Sequence, residues 1–155
     1  VGIEPEKDMI NNAKGRNYPV PDLVEFINKS ADEVKMLKSS IVISYYTIQF
    51  ISPGIRQLLF NQIYESLDWG GAFFFFEKVR SPDARFQDYS TQTYHEYKLD
   101  RGYDSKEVVG KSRSLKGILE PFTEKGNIEY LNRAGFNDIE TIFKLYCFQG
   151  WLAIK

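Results

Sequence analysis

Cysteine and histidine each occur once in these 155 residues, and that scarcity excludes several kinds of chemistry. A lone Cys147 makes no internal disulfide and no cysteine-cluster metal site, and a lone His95 makes no histidine-pair metal site. Net charge is equally sparse. Twenty basic residues against 21 acidic ones leave a formal −1, so no global field draws the chain to nucleic acid or to an anionic membrane. No apolar run approaches the ~18 residues of a membrane span; the run Ala72–Phe76 is far shorter. No secretory leader pattern is recognisable. The expectation is a soluble protein of a reducing, cytoplasmic compartment, with no direct nucleic-acid partner. The first residue is Val1 rather than Met, which suggests a fragment, a processed chain or one only partly covered.

Aromatic residues are plentiful: 12 Phe and 10 Tyr must fill much of a single core, since this length suits one domain. Val1-Gly2-Ile3 reads as the tail of a buried strand. A helix follows from Pro5-Glu6-Lys7 to about Lys14 and stops at Gly15. Pro19 and Pro21 mark a loop, and Leu23–Ile27 reads as a short strand. The stretch 28–39 is polar, with room for a helical turn. Ser40–Tyr46 is β-branched, aromatic and uncharged, which predicts a strand buried on both faces. Ser52-Pro53 opens a helix whose Ile55, Leu58, Leu59, Ile63 and Leu67 share one face, ended by Trp69-Gly70-Gly71. Ala72–Phe76 is a central strand leading into Glu77-Lys78. Helical segments over about 83–98 and 105–119 form an insertion. Thr123 or Asn127 caps a further helix ending at Ala134-Gly135, and two strands close the chain at about 138–145 and 149–154. Cys147, in the apolar run Leu145–Phe148, reads as a buried structural thiol.

Strand–helix alternation predicts an open α/β sheet. The last two strands are joined by almost nothing and must form an antiparallel hairpin. A mostly parallel sheet closed by such a hairpin resembles the S-adenosylmethionine (SAM) methyltransferase variant of the Rossmann-like fold. Three stretches carry that resemblance further: Gly2-Ile3-Glu4-Pro5 at a strand end, Leu67-Asp68-Trp69-Gly70-Gly71-Ala72 before the Phe strand, and Arg133-Ala134-Gly135-Phe136 before the hairpin. One subfamily is more similar than the rest, the carboxy-SAM synthases. Its marks are Thr47-Ile48-Gln49-Phe50, Glu77-Lys78, His95-Glu96-Tyr97-Lys98, Gly102-Tyr103 and Lys111-Ser112-Arg113-Ser114-Leu115. The chain is thereby expected to be one domain over residues 1–155 with a helical insertion about 83–119. It is expected to be N-terminally truncated, because the family's first strand and glycine-rich loop do not occur in it. Either the natural protein is longer, or strand exchange with a second copy repairs the gap.

The resemblance implies SAM, carboxy-SAM or S-adenosylhomocysteine as cofactor, a small-molecule substrate (prephenate), a role in tRNA wobble-uridine modification, and a homodimer. Glu4 is implied as a ribose ligand, since a carboxylate accepts from both ribose hydroxyls; its alternative is a helix-capping acid. Ser30 and Ala31 stand where the adenine is bound, without the usual acidic residue. Arg113 is implied as the clamp on the cofactor's extra carboxylate, which a guanidinium grips through two parallel bonds; the alternative is a solvated surface arginine. Tyr45 and Tyr46 point to opposite strand faces. Tyr45, where the subfamily has asparagine, is the choice for the cofactor pocket and the catalytic centre. His95 is a general base or substrate contact, or else a surface or interface residue. Tyr103, with Tyr94 and Tyr97, lines a substrate cavity or packs beneath the helical cap. Glu77 sits where open α/β sheets place their ligand crevice, or forms a buried ion pair. Lys111 reads as surface charge.

Three functions follow from these expectations. The first is synthesis of carboxy-SAM from SAM and prephenate, with Arg113 stabilising the new carboxylate. The second is ordinary methyl transfer to a small molecule, with no role for Arg113. The third is a non-catalytic dimerisation module with a degenerate cofactor site.

Overall fold

The computed structural model describes residues 1–16 and 21–155. The expected loop residue Pro19 lies outside them. Two compact units are present, Val1–Met36 and Leu37–Lys155.

In the first unit, strand β1 (Gly2–Ile3) pairs in parallel with β2 (Phe26–Ile27). Helix α1 (Lys7–Lys14) lies between them in sequence and ends at Gly15, as its sequence predicts. Leu23 is not in a strand. It belongs to a 3-10 turn (Pro21–Leu23) and is largely exposed, because the proline that starts this segment supplies a turn-compatible φ and no ladder donor. A second 3-10 turn, Ala31–Glu33, fills the polar stretch; the Ser30 and Glu33 side chains cap it reciprocally.

The second unit is built on a four-stranded sheet of order β3-β4-β6-β5, with β3 at Ser39–Tyr45, β4 at Leu67–Lys78, β5 at Asp138–Leu145 and β6 at Phe148–Ile154. β3 and β4 run parallel, and β6 is antiparallel to both β4 and β5. The parallel-plus-hairpin pattern read from the sequence is therefore present. Alternate residues of β4 supply the core, and Phe73 and Phe75 are fully buried. Phe75 lies opposite Trp151 on β6, their rings stacked at 5.3 Å. Each such side chain contributes about 1.5–3 kcal/mol of burial. Helix α2 (Pro53–Ser66) brings Phe60 edge-on to Phe73 and Phe75 and flat against Tyr130 of α5 (Glu124–Ala134).

Two burial expectations fail. β3 is not buried on both faces: Ile41 and Ile43 are 59% and 64% exposed. β3 is one of the two edge strands of this sheet, and its one buried residue, Ser44, lies on the face opposite Ile41 and Ile43, a pair that no helix among the described residues covers deeply enough to bury. On α2 the buried stripe is Arg56, Leu59, Phe60, Ile63 and Ser66, while Ile55 and Leu58 are exposed. The helix is rotated because Arg56 points inward, where its Nε donates to the Ile51 carbonyl and its Nη2 to the Gln49 carbonyl. α2 also ends earlier than its glycines suggested, at Ser66, and the chain passes straight into β4.

The insertion consists of α3 (Ala84–Asp100) and α4 (Ser105–Ser114). Asp83 caps α3 by accepting from the Phe86 N–H, and Asp104 and Glu107 form a capping box on α4. Thr123 caps α5, and Gly135 closes it at φ +116°. Among the described residues no helix is long and apolar enough to cross a membrane.

Candidate active site

The site is assembled at the C-terminal ends of the parallel pair β3 and β4, the edge at which open α/β sheets bind ligands. β3 ends at Tyr45, and Tyr46 then takes a left-handed backbone (φ +56°), uncommon for a bulky residue. Its N–H donates to the Phe76 carbonyl, and its ring packs against Tyr45, Phe76 and Phe148. A 3-10 turn, Ile48–Phe50, follows. This is the Thr47–Phe50 signature, and Gln49 explains it. The Gln49 amide donates to the Tyr46 carbonyl, its Oε1 accepts from the Lys78 N–H, and its backbone carbonyl accepts from Arg56 and from the Glu120 N–H. One side chain and its peptide thus tie together the ends of both strands, α2 and the segment behind α4.

Glu77, only 3% exposed, accepts from the Ile48 N–H at 3.1 Å. Burial pushes its carboxyl up to about 8; the Arg56 cation and the Ile48 and Gln49 N–H groups oppose that rise. Arg56 is itself held below its ordinary value by burial, and its guanidinium lies 4.7 Å from the Phe122 ring centroid.

Beside this edge lies a cavity of about 530 Å³, within the range of small-molecule sites. Its walls come from the end of β4, from α3 and α4, and from the β5–β6 turn at Cys147. Six cationic side chains reach it, Lys78, Arg80, Lys98, Lys111, Arg113 and Lys116, against a single carboxylate, Glu120. In a chain of almost balanced charge this is a concentrated positive field, which draws anions. His95 and Arg113 share this cavity. Tyr103 lines an adjoining one of about 610 Å³, whose wall includes Tyr94, Lys98 and Lys111. A third, of about 880 Å³, meets the first at Arg80 and Cys147. Cys147 is buried, and burial raises its thiol above the usual value.

Tyr45 is not among the residues lining the cationic cavity. It is 66% exposed, on the face of β3 that carries Ile41 and Ile43. The half-buried Tyr46 stands closer to the cavity, through Phe148, whose ring also meets Tyr94. In the first unit, Glu4 follows β1, and its Oε1 accepts from the N–H of Glu6, the residue just before α1, at 2.9 Å. Asn28 links the two strand ends by donating to the Glu4 and Pro5 carbonyls. The Ser30 hydroxyl donates to Asp32, and Ala31 begins the 3-10 turn. Among the described residues no group of three His, Cys, Asp or Glu side chains is placed to hold a metal.

Sequence reasoning gave Lys78 and Lys98 no role. Their Nζ atoms lie 5.3 and 4.3 Å from the centroid of the same Tyr94 ring. Both stand inside quoted motifs, Glu77-Lys78 and His95-Glu96-Tyr97-Lys98, but a lysine there also reads as solvated charge.

Solved structures place this architecture among known folds. Human N-acetylserotonin methyltransferase bound to SAM is similar with a TM-score of 0.63 at 16% identity, over 100% of this chain and 39% of that one. An O-methyltransferase family 2 protein from Planctomyces limnophilus, complexed with apigenin, gives 0.65 at 12% identity, over 99% and 41%. The fold is that of the Rossmann-like SAM-dependent methyltransferases. Curated sequences narrow the class. The carboxy-S-adenosyl-L-methionine synthase of Staphylococcus epidermidis is 37% identical over 100% of this chain and 67% of its own length. Those of Trichodesmium erythraeum and Campylobacter lari are 36% and 33% identical, over 62% and 66% of their lengths. The chain belongs to the carboxy-SAM synthase family. It spans slightly less than two thirds of the last two relatives. No protein-family model matches it.

Proposed function

We propose that the protein makes carboxy-SAM from SAM and prephenate, releasing phenylpyruvate. The observation that carries this reading is the cationic cavity containing Arg113 at the ligand-binding edge of a methyltransferase fold. A neutral methyl acceptor needs no such charge. Prephenate is a dicarboxylate, and the product nucleoside gains a carboxylate.

The donor set fits a SAM-type cofactor. An acidic residue, Glu4, follows β1 in the first unit, and in the second unit Arg113 lines the cationic cavity and would supply the guanidinium for a carboxylate. When bound, SAM supplies an acidic methyl carbon that accepts the carbon dioxide lost from prephenate. Prephenate also expels its ring hydroxyl, which leaves with the methyl proton as water, so the atoms balance without a strong protein base. The protein holds both reactants together, keeps bulk water out and neutralises the carboxylate that passes between them. Arg113 grips that carboxylate. The same reading assigns Glu4, Ser30 and Ala31 to the nucleoside, Tyr45 to the neighbourhood of the sulfonium, and His95 and Tyr103 to substrate contacts. It extends to a cytoplasmic homodimer that serves tRNA wobble-uridine modification without binding tRNA itself, in keeping with a net charge of −1.

A second reading, conventional methyl transfer to a small molecule, draws on Tyr45, which stands where the subfamily has asparagine. Mass spectrometry of the nucleoside retained through purification separates the two. Carboxy-SAM supports the synthase. SAM or S-adenosylhomocysteine alone supports methyl transfer, and an empty protein under saturating SAM points to the non-catalytic module.

A further inference from the structure

The proposed reaction leaves one group unassigned. Prephenate carries two carboxylates: one departs from the ring and is transferred, and the other, on the pyruvyl arm, stays on the product. Arg113 accounts for the first only. We propose that Lys78 and Lys98, set around Tyr94, hold the carboxylate that is retained, and that they thereby select α-keto acid substrates; this rests on the synthase reading above.

The two lysines come from different elements, the end of β4 and the last turns of α3. Both ammonium groups nonetheless converge on one ring, at 5.3 and 4.3 Å from the Tyr94 centroid. The ring's π face stabilises each cation, but two like charges gathered there repel. Burial, followed by the charge of Lys78, holds the Lys98 ammonium below its ordinary pKa, and Lys111 adds to the effect. No acidic side chain forms an ion pair with either lysine among the described residues. An anion placed between the two would offset both the repulsion and the desolvation. Tyr94 is itself braced by the Phe148 ring at 5.2 Å, which fixes the ring on which the two cations meet. Lys98 and Lys111 line both the cationic cavity and the adjoining one at Tyr103, and Arg113 lines the first, so the two cationic features share one cavity.

The test uses phenylpyruvate, which keeps the pyruvyl carboxylate and lacks the transferred one. It is titrated calorimetrically into the purified protein and into Lys78→Met, Lys98→Met and Arg113→Ala, with carboxy-SAM titrated in parallel. Methionine keeps the packing of the lysine stem. The expected result is roughly tenfold or greater weakening of phenylpyruvate binding in each lysine variant, the size of one charge-assisted contact, with little change in Arg113→Ala. Carboxy-SAM should show the reverse pattern, and its unchanged affinity in the lysine variants reports an intact fold. The proposal is overturned if the lysine variants bind phenylpyruvate normally, if Arg113→Ala weakens it equally, or if the unmodified protein does not bind it. Lysine-dependent phenylpyruvate binding without any binding of carboxy-SAM would support the clamp and remove the synthase reading instead.

Discussion

Replacing Glu77 with glutamine tests the energetics at the floor of the site. The carboxyl is 3% exposed and accepts the Ile48 N–H, a bond that a glutamine carbonyl can also accept. In the folded chain the group keeps its proton up to about 8, against an ordinary 4.5, because burial disfavours the charged form. The unfolded chain releases the proton near the ordinary value. Between those two pH values the folded state therefore binds more protons, and rising pH favours unfolding. The stabilisation is fully present below about pH 4.5 and is lost as pH climbs to about 8. Roughly three and a half pH units at ~1.4 kcal/mol each give about 5 kcal/mol, a large part of the 5–15 kcal/mol that holds a typical domain. Urea unfolding at a series of pH values from 4.5 to 9 reads this directly. Glu77→Gln should overtake the unmodified protein as pH rises, and the gap should stop growing above about pH 8. Stability curves that run parallel across the whole range would mean that Glu77 titrates alike in both states and that its burial does not hold the proton.

Arg113→Ala should weaken carboxy-SAM binding by about 1.5 kcal/mol, roughly tenfold, and leave SAM nearly unchanged; the figure is at the low end for a charged contact because Arg113 is exposed. Equal losses for both ligands in calorimetry would remove the clamp. Gly135→Ala should destabilise the fold by about 2 kcal/mol or more, because φ is +116° and a Cβ would sit 2.8 Å from the Tyr64 ring; an unchanged thermal midpoint would contradict this. Cys147 should react with a thiol reagent such as DTNB far more slowly in the native protein than in urea, since it is buried and its thiol is raised. Equal rates would show that the β5–β6 turn is open.

The elements whose signal is local were legible in the sequence. The Phe73–Phe76 run fixes a central strand by β-propensity and apolarity, Thr123 and Gly135 mark both ends of α5, and a connection as short as Tyr146-Cys147 permits only a hairpin. The errors concern which way an element faces. Apolar spacing on α2 suggested Ile55 and Leu58 as core, but the buried Arg56, satisfied by two backbone carbonyls, turns the helix. The uncharged β3 looked buried on both sides, yet burial depends on the neighbours it acquires in the sheet. The same limit applies to the site. Arg113 and His95 were found by motif, and they do share a cavity. Lys78 and Lys98 stand in motifs too, but 20 residues apart, and only the meeting of β4 with α3 over Tyr94 joins them into one feature.

The most direct measurement is a single incubation of the purified protein with SAM and prephenate, followed by mass spectrometry of the small molecules. Carboxy-SAM and phenylpyruvate should form in equal amounts, and both should fall together in Arg113→Ala. S-adenosylhomocysteine beside a methylated acceptor, or prephenate left intact, would contradict the synthase reading.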